Sequence, residues 1–250
     1  MVPFFKSERL QRDFESAGFV TMPVLGPDEI AALTRHCTDA VGGRSPANSR
    51  LLISLVDEED ISRRMSVVAE INRVVGTALS KQLHPVQTLL GAYLVKPGFA
   101  AHTAPHHDAG VIAHDRLGDA CTATVWIPLQ DVDASSGALG IIRSSHRFSD
   151  RVIGTPPPAV RALTHGHEAL LFRYLTFVPL KAGEAVIFDT RCVHGAMPNT
   201  SPAPRIAVAV RIAPRDEELF QYFLKPGTTN RLLKLRVTED FLVRHRIQDL

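Results

Sequence analysis

Beyond Pro85 the chain is a succession of short apolar runs, each bounded by Gly, Pro, Asp or Ser. These runs cover residues 88–96, 120–128, 137–143, 177–180, 185–189 and 205–212. Their length and their content of β-branched and aromatic residues are typical of β-strands. No helical crossover separates them, so we expect antiparallel pairing in a sandwich or barrel and not a doubly wound sheet. The sequence therefore predicts a mainly β fold.

The first third of the chain has a different, largely helical pattern. Apolar residues recur at helical spacing over 7–17, and Gly18 follows where such a helix would end. Residues 19–25 read as a strand, and a second helix is predicted over 27–41 because acidic residues fill its first turn. A third helix is predicted over 58–81. These helices are expected to pack on one outer face of the β structure.

We predict one domain over residues 1–250, since no internal repeat and no convincing linker interrupts the chain. Its parts are an N-terminal helical part over 1–84 and a β core over 85–213. A Pro-rich, charged stretch over 144–174 is predicted to be a long surface insertion of the core, a kind of loop that is often functional. The charged tail, 214–250, is expected to be helical in part.

Composition excludes several functional classes. The 28 Lys and Arg nearly balance the 26 Asp and Glu, and no basic run is interleaved with aromatic residues, so a nucleic-acid partner is not expected. No apolar stretch is long enough to span a membrane. The first residues do not resemble a secretion signal, and the three cysteines, Cys37, Cys121 and Cys192, are widely spaced. These features predict a cytoplasmic protein with free thiols.

Two segments carry residues that suit a transition metal. Residues i and i+2 of an extended segment point to the same side, so His106 and Asp108 share a face while His107 lies on the other. His194 follows the strand predicted over 185–189 and supplies a second imidazole. Two His and one carboxylate on one side of an ion form the facial triad of non-haem Fe(II) oxygenases, which leaves open positions on the metal.

Arg205 stands at the start of the strand predicted over 205–212, among small apolar residues. An arginine that projects into a β-barrel must be paired, because an unpaired buried charge costs several kcal/mol. A bound dicarboxylate would pair it, since the planar guanidinium binds carboxylates bidentately. Two other readings of the same residues stay open: a cupin-type Zn or Mn hydrolase or isomerase, which has no need of Arg205, and a non-catalytic β-barrel binding protein.

The order of these motifs resembles the phytanoyl-CoA dioxygenase family of Fe(II)- and 2-oxoglutarate-dependent oxygenases, and the resemblance covers nearly the whole chain. The similar segments are 14–20 with 25–30, 94–98, 126–129 through 137–139 to 145–147, and 183–189 through 194–195 with 198–199. The resemblance implies a double-stranded β-helix, the jelly roll of cupin-like proteins, with the N-terminal helices on one outer face.

The resemblance also implies a site and an activity. The family's iron ligands fall on His106, Asp108 and His194, its 2-oxoglutarate-binding Arg on Arg205, and its Trp near the cosubstrate on Trp126. The cofactors would be Fe(II), 2-oxoglutarate and dioxygen. The implied reaction is hydroxylation, or another oxidation, of a small-molecule substrate in biosynthesis, with release of succinate and carbon dioxide.

Four positions bear on how far the family pattern holds. Arg143 and Ser144 stand where the family usually has Pro-Gly, so the turn is expected to differ and Arg143 to reach towards substrate. Ala196 stands where a small hydroxylated residue often helps to bind 2-oxoglutarate. Halogenating relatives replace the carboxylate ligand with Gly or Ala, so the presence of Asp108 argues against halogenation.

Overall fold

The structure is a computed structural model. It describes residues 2–41, 53–54, 58–108, 111–112, 122–148, 164, 166–225, 228 and 231–245. Much of the insertion predicted over 144–174 lies outside these residues, as does Cys121. Cys37 and Cys192 are buried free thiols.

Five α-helices occur in the described part of the chain. They are α1 (Glu8–Ala17), α2 (Pro27–Val41), α3 (Ile61–Leu79), α4 (Glu168–Phe172) and α5 (Phe241–Arg244). The Ser7 side chain caps α1 by accepting the Leu10 N–H, and Gly18 ends the helix at φ 83°. Asp60 caps α3, which therefore begins three residues later than the predicted 58. No helix among the described residues is long and apolar enough to cross a membrane.

Thirteen strands in three antiparallel sheets make up the rest of the described structure. In chain order they are β1 (Phe19–Pro23), β2 (Ile53–Ser54), β3 (Val86–Lys96), β4 (Thr103–His106), β5 (Val111–Ile112), β6 (Ala123–Pro128), β7 (Leu139–Ile141), β8 (Thr176–Phe177), β9 (Glu184–Asp189), β10 (His194–Ala196), β11 (Arg205–Pro214), β12 (Leu219–Leu224) and β13 (Leu232–Val237). The large sheet has the order β1-β9-β6-β11-β3-β2, the small sheet β4-β10-β7-β8, and the third β13-β12-β5.

The large and small sheets face each other as a double-stranded β-helix, and strand alternation divides the core between their two sides. On β6, Val125 and Ile127 belong to the cluster formed with the helices, which includes Ile71 of α3. Trp126, between them in sequence, packs on the inner side with Ile141 of the small sheet. The prediction of a mainly β jelly roll with helices on one outer face is confirmed.

Within the described residues of the tail, the predicted helical part is the single turn of α5. β11 continues to Pro214, beyond the predicted end of the core, and the chain then returns as the hairpin of β12 and β13. β12 also pairs with β5, which follows the His-x-Asp segment closely. The aromatic sequence of β12 suits a strand, and the tail therefore extends the β structure around the predicted metal site.

Gly183, directly before β9, packs against the segment that follows β1. Its φ is 82°, and an added Cβ would lie 2.4 Å from the Leu25 carbonyl oxygen. We expect Gly183→Ala to lower the free energy of unfolding by about 2 kcal/mol or more, because a side chain disfavours the left-handed conformation and the backbone cannot recede cheaply. Chemical denaturation measures this change.

Gly76 of α3 is the matched control, because an added Cβ meets nothing within 4 Å there. Gly76→Ala should raise the free energy of unfolding by about 0.5–1 kcal/mol, since alanine favours the helix. Equal effects of the two substitutions would contradict the contact assigned to Gly183.

Candidate active site

Strand pairing brings the two predicted metal-binding segments together. β4 and β10 are antiparallel neighbours in which His106 is the register partner of His194. The two imidazole rings lie with centroids 4.3 Å apart. Asp108 follows β4, and its N–H donates to the Thr190 carbonyl at 3.1 Å. Residues distant in sequence thereby converge on one point.

The three side chains form a compact group of ligand atoms. The Nε2 atom of His194 lies 3.7 Å from Oδ1 of Asp108, and the Nε2 atom of His106 lies 4.0 Å from the same oxygen. One ligand atom from each residue falls within 4.8 Å of the others. His194 is buried, whereas His106 and Asp108 are half-buried, so the group is open on one side.

Backbone carbonyls orient both imidazoles. Nδ1 of His106 lies 2.8 Å from the Ala104 carbonyl oxygen, and Nδ1 of His194 lies 3.1 Å from that of Cys192. A carbonyl only accepts, so each Nδ1 carries the proton and each Nε2 keeps its lone pair. Metal-binding histidines are usually held in this way. The donor set therefore fits a divalent iron ion.

The two carboxylate oxygens of Asp108 have different partners. Oδ1 faces the imidazoles, while Oδ2 accepts the Thr124 hydroxyl at 2.7 Å and lies 3.6 Å from Nη2 of Arg211. Burial by itself raises the pKa of Asp108, but the charge of protonated His194, the charge of Arg211, the charge of protonated His106 and the Thr124 hydrogen bond outweigh it and hold that pKa below its usual range. Asp108 is thus ionised at neutral pH, which is the form that a metal ion would bind.

The neighbouring histidines differ in role. Burial, followed by the charge of His106, lowers the pKa of His194 to about 4, so this imidazole is neutral at physiological pH. A neutral imidazole is the form that binds a metal. His107 is half-buried and does not line the cavity beside the group, as the alternation of an extended segment predicts.

The group lies in the wall of a cavity of about 180 Å³ between the two sheets. Apolar side chains from six strands supply most of the remaining wall, among them Leu90, Leu94, Trp126, Leu139 and Phe188. An apolar cavity with a few convergent polar groups is typical of a small-molecule site.

Arg205 lines this cavity and lies over the ring of Trp126, the residue that the resemblance placed near the cosubstrate. Its side chain is 2 % exposed, and its guanidinium carbon is 5.1 Å from the centre of the Trp126 ring. Nη1 donates to the Leu94 carbonyl at 3.2 Å, and Nε has no hydrogen-bond partner among the described residues. Burial lowers the pKa of Arg205 to about 10.

Lys96, which sequence reasoning missed, is the register partner of Arg205 across β3 and β11. Its side chain is 1 % exposed, and Nζ donates to the Thr103 hydroxyl at 3.2 Å. Neither cation has an ion-pair partner within the described ranges. Two adjacent buried cations suit the end of a dianionic ligand better than one would.

Strand periodicity could have found two other cavity residues. Arg211 shares the cavity face of β11 with Arg205, since residues 205, 207, 209 and 211 alternate with outward ones. Thr124 lies on the same face of β6 as Trp126. Neither residue belongs to a recognisable motif, and only their even spacing from predicted site residues marks them.

A threonine hydroxyl lies beside position 196, where this chain has alanine. Ala196 lines the cavity, and its register partner on β4 is Thr103, which also lines the cavity. The threonine hydroxyl accepts from Lys96 as described above. A polar group therefore stands beside Ala196, contributed by the neighbouring strand.

The turn at Arg143 and Ser144, where the family usually has Pro-Gly, contains a residue in the left-handed backbone conformation. Ser144 adopts φ 60°, the conformation that glycine favours, and its N–H and hydroxyl donate to the Ala17 and Ser16 carbonyls at 2.7 and 2.9 Å. These bonds fasten the turn to the end of α1. Arg143 is exposed and does not line the cavity, so the expectation that it reaches towards substrate gains no support.

The chain is similar to known proteins over most of its length. The profile of the phytanoyl-CoA dioxygenase (PhyH) family matches residues 14–207. An ectoine dioxygenase of Streptomyces avermitilis is 26 % identical over 231 residues, which cover 80 % of this chain and 76 % of the relative.

Two solved structures share the fold. One is the non-haem, α-ketoglutarate-dependent carbocyclase SnoK of nogalamycin biosynthesis, with a TM-score of 0.59, 23 % identity and 85 % of each chain covered. The other is EctD of S. alaskensis, crystallised with 2-oxoglutarate and 5-hydroxyectoine, with a TM-score of 0.58 and 17 % identity. That match covers 97 % of this chain and 86 % of EctD.

The burial of Lys96 predicts a pH dependence of stability. Burial, and then the charge of Arg205, lower its pKa from 10.5 to about 8. Between these pH values the unfolded chain holds more protons than the folded protein, so the free energy of unfolding rises with pH. In protein free of metal and cosubstrate, we expect wild type to gain about 3 kcal/mol relative to Lys96→Met between pH 8 and 10.5.

Chemical denaturation of wild type, Lys96→Met and Lys81→Met at both pH values measures this gain. Lys81 is exposed, so its replacement should leave the pH dependence of wild type unchanged. A parallel pH dependence for wild type and Lys96→Met would show that Lys96 titrates like a solvated lysine.

Proposed function

Because the chain belongs to the phytanoyl-CoA dioxygenase family, we propose that it hydroxylates a small-molecule substrate in biosynthesis, with His106, Asp108 and His194 as its iron ligands. Family membership makes it a non-haem iron, 2-oxoglutarate-dependent dioxygenase. A cytoplasmic location is part of the proposal, and the buried free thiols of Cys37 and Cys192 support it.

One observation carries the assignment of the ligands. Two imidazoles and one carboxylate converge within 4.8 Å, and each imidazole is turned by a backbone carbonyl so that Nε2 faces the carboxylate. Two imidazoles and one carboxylate are the donor set that non-haem iron(II) oxygenases use, and these residues would hold the ion from the wall of the cavity. Thr124 holds the carboxylate oxygen that faces away from the imidazoles, so little rearrangement is needed on metal binding.

Bound iron(II) supplies the site at which dioxygen is activated while 2-oxoglutarate is oxidised to succinate and carbon dioxide. The protein's part is to bind and orient. Arg205, which lines the cavity, and its buried register partner Lys96 would hold the distal carboxylate of the cosubstrate. The Trp126 ring packs against Arg205 and excludes water from this ion pair.

The cavity supports a small-molecule substrate. Its volume of about 180 Å³ and its apolar walls suit a compact organic molecule, and the relatives are named for ectoine and for nogalamycin biosynthesis. A hydrolase or isomerase that does not use 2-oxoglutarate has no need of the buried pair of Arg205 and Lys96. That reading of the sequence is therefore not favoured.

Cosubstrate binding is tested by anaerobic titration of the Fe(II)-loaded protein with 2-oxoglutarate, followed by the visible metal-to-ligand charge-transfer band. Wild type should give the band, and Arg205→Ala should raise the dissociation constant about 100-fold or more. Removing one member of a buried charge pair costs about 3–5 kcal/mol, which sets this magnitude.

Two variants complete the titration. Arg205→Lys keeps a charge and should bind 2-oxoglutarate better than Arg205→Ala. Arg143→Ala removes an exposed arginine and should behave as wild type. The absence of a band in folded, iron-loaded wild type would overturn the proposed function.

The ligand assignment is tested by the iron content of variants after anaerobic loading and desalting. His106→Ala and Asp108→Ala should lose iron, and Asp108→Ala should abolish substrate hydroxylation, because each removes one of three ligands. His107→Ala should retain iron, since its side chain is directed away from the group. Loss of iron in His107→Ala but not in His106→Ala would show that the wrong face had been assigned.

A further inference from the structure

Arg211 occupies the opposite end of the cavity from Arg205. Both lie on the inner face of β11, six residues apart, which separates their Cα atoms by about 20 Å along the strand. The register partners of Arg211 are Leu90 on β3 and Thr124 on β6, whereas that of Arg205 is Lys96. The cluster of His106, Asp108 and His194 lies nearer to Arg211 than to Arg205, since Thr124 and Arg211 both approach Asp108.

The guanidinium of Arg211 is incompletely satisfied by the protein. Its side chain is 12 % exposed, and Nε has no hydrogen-bond partner among the described residues. Its ion-pair partner Asp108 is 3.6 Å away, beyond a good hydrogen bond. Within the part of the chain that the structure describes, Asp108 is the single acidic side chain that lines the cavity.

The lack of negative charge around Arg211 becomes larger when iron(II) and 2-oxoglutarate are bound, an argument that rests on the proposed function. The two positive charges of iron(II) match the two negative charges of 2-oxoglutarate. Besides Asp108, the single acidic side chain that lines the cavity among the described residues, the protein contributes three cations: Arg205 and Arg211 of the cavity wall, and Lys96, the buried register partner of Arg205. Lys96 and Arg205 would share the distal carboxylate, whereas Arg211 has only Asp108, which would also hold the iron, and a poorly compensated charge in an apolar site is costly.

We propose that Arg211 binds a carboxylate of the organic substrate, so that this enzyme acts on small carboxylic acids with an apolar body. A carboxylate matches the fork of donors on a guanidinium and would engage the unpartnered Nε. Leu90 and Ala209 line the cavity beside Arg211 and suit the apolar part of such a molecule. Anchored there, the substrate lies against the open side of the metal group.

A narrower role for Arg211 is to hold Asp108 in place as a positioning residue. The two roles differ in what a substitution removes. Loss of a substrate anchor leaves iron and 2-oxoglutarate binding intact and removes discrimination between a carboxylate and its amide. Loss of a positioning residue weakens the metal site itself and has no preference for charge in the substrate.

The experiment uses the full chain loaded with Mn(II) and saturating 2-oxoglutarate. The probes are acetate, butyrate, hexanoate and phenylacetate, each paired with its primary amide. Paramagnetic relaxation of the probe protons gives dissociation constants for wild type, Arg211→Gln, Arg211→Lys and Arg215→Gln. Arg215 is exposed and outside this cavity, so Arg215→Gln controls for the loss of one positive charge.

In wild type, the best carboxylate should bind about 10-fold or more tightly than its amide. Arg211→Gln should abolish that preference, Arg211→Lys should keep part of it, and Arg215→Gln should keep all of it. Equal binding of acids and amides by wild type, no binding of any acid, or displacement of 2-oxoglutarate by the acid would overturn the proposal.

Metal and cosubstrate binding separate this proposal from the one on which it rests. Arg211→Gln should bind Mn(II) and 2-oxoglutarate as wild type does, and a loss of either would make Arg211 a positioning residue and overturn its role as substrate anchor. Failure of wild type itself to bind 2-oxoglutarate would instead overturn the proposed function.

Discussion

The pairing of β4 with β10 is the constraint on which the rest of the site depends, because it sets His106 beside His194. β10 is only three residues long, so its position is secured from both sides. Its other edge pairs with β7, and just before it the Val193 N–H donates to the Ser145 hydroxyl at 2.8 Å. That hydroxyl donates in turn to the Ile142 carbonyl at 2.6 Å. The Ser-His segment of the central hairpin thus supports the distal histidine.

A second network holds the cation end of the cavity. The Asn199 side-chain amide donates to the Pro97 carbonyl at 3.0 Å and to the Ala203 carbonyl at 2.8 Å. These bonds tie the end of β3 to the start of β11, where Lys96 and Arg205 are register partners. Asn199 is itself buried, so its position is well determined. The hydrogen bonds of Asn199 therefore fix the loop that joins His194 to Arg205.

The electrostatics of the cavity reflect a balance between stability and function. Burial disfavours the protonated forms of Lys96 and His194, and it disfavours the charge of Arg205. For His194 the result is a neutral imidazole, the form that metal binding would require. For the two cations the result is a lack of neighbouring negative charge, which a bound dianion would supply. Without a bound anion, the burial of these two cations destabilises the folded protein.

The sequence by itself determined the class of fold and the three helices in front of the β structure, and it predicted the metal triad and the role of Arg205. Each of these rests on local signals: residue spacing of two along an extended segment, helical periodicity, and the order of short motifs. The division of the chain as a single domain, and the roles of the site residues, stay predictions. Only the tertiary structure decided which strands are neighbours, and so which side chains meet. Lys96, Thr103, Thr124 and Arg211 acquire their significance from partners on other strands, and β12 of the tail hairpin pairs with the distant β5. Contacts of this kind join residues far apart in the chain, where periodicity within one strand gives no information about the next.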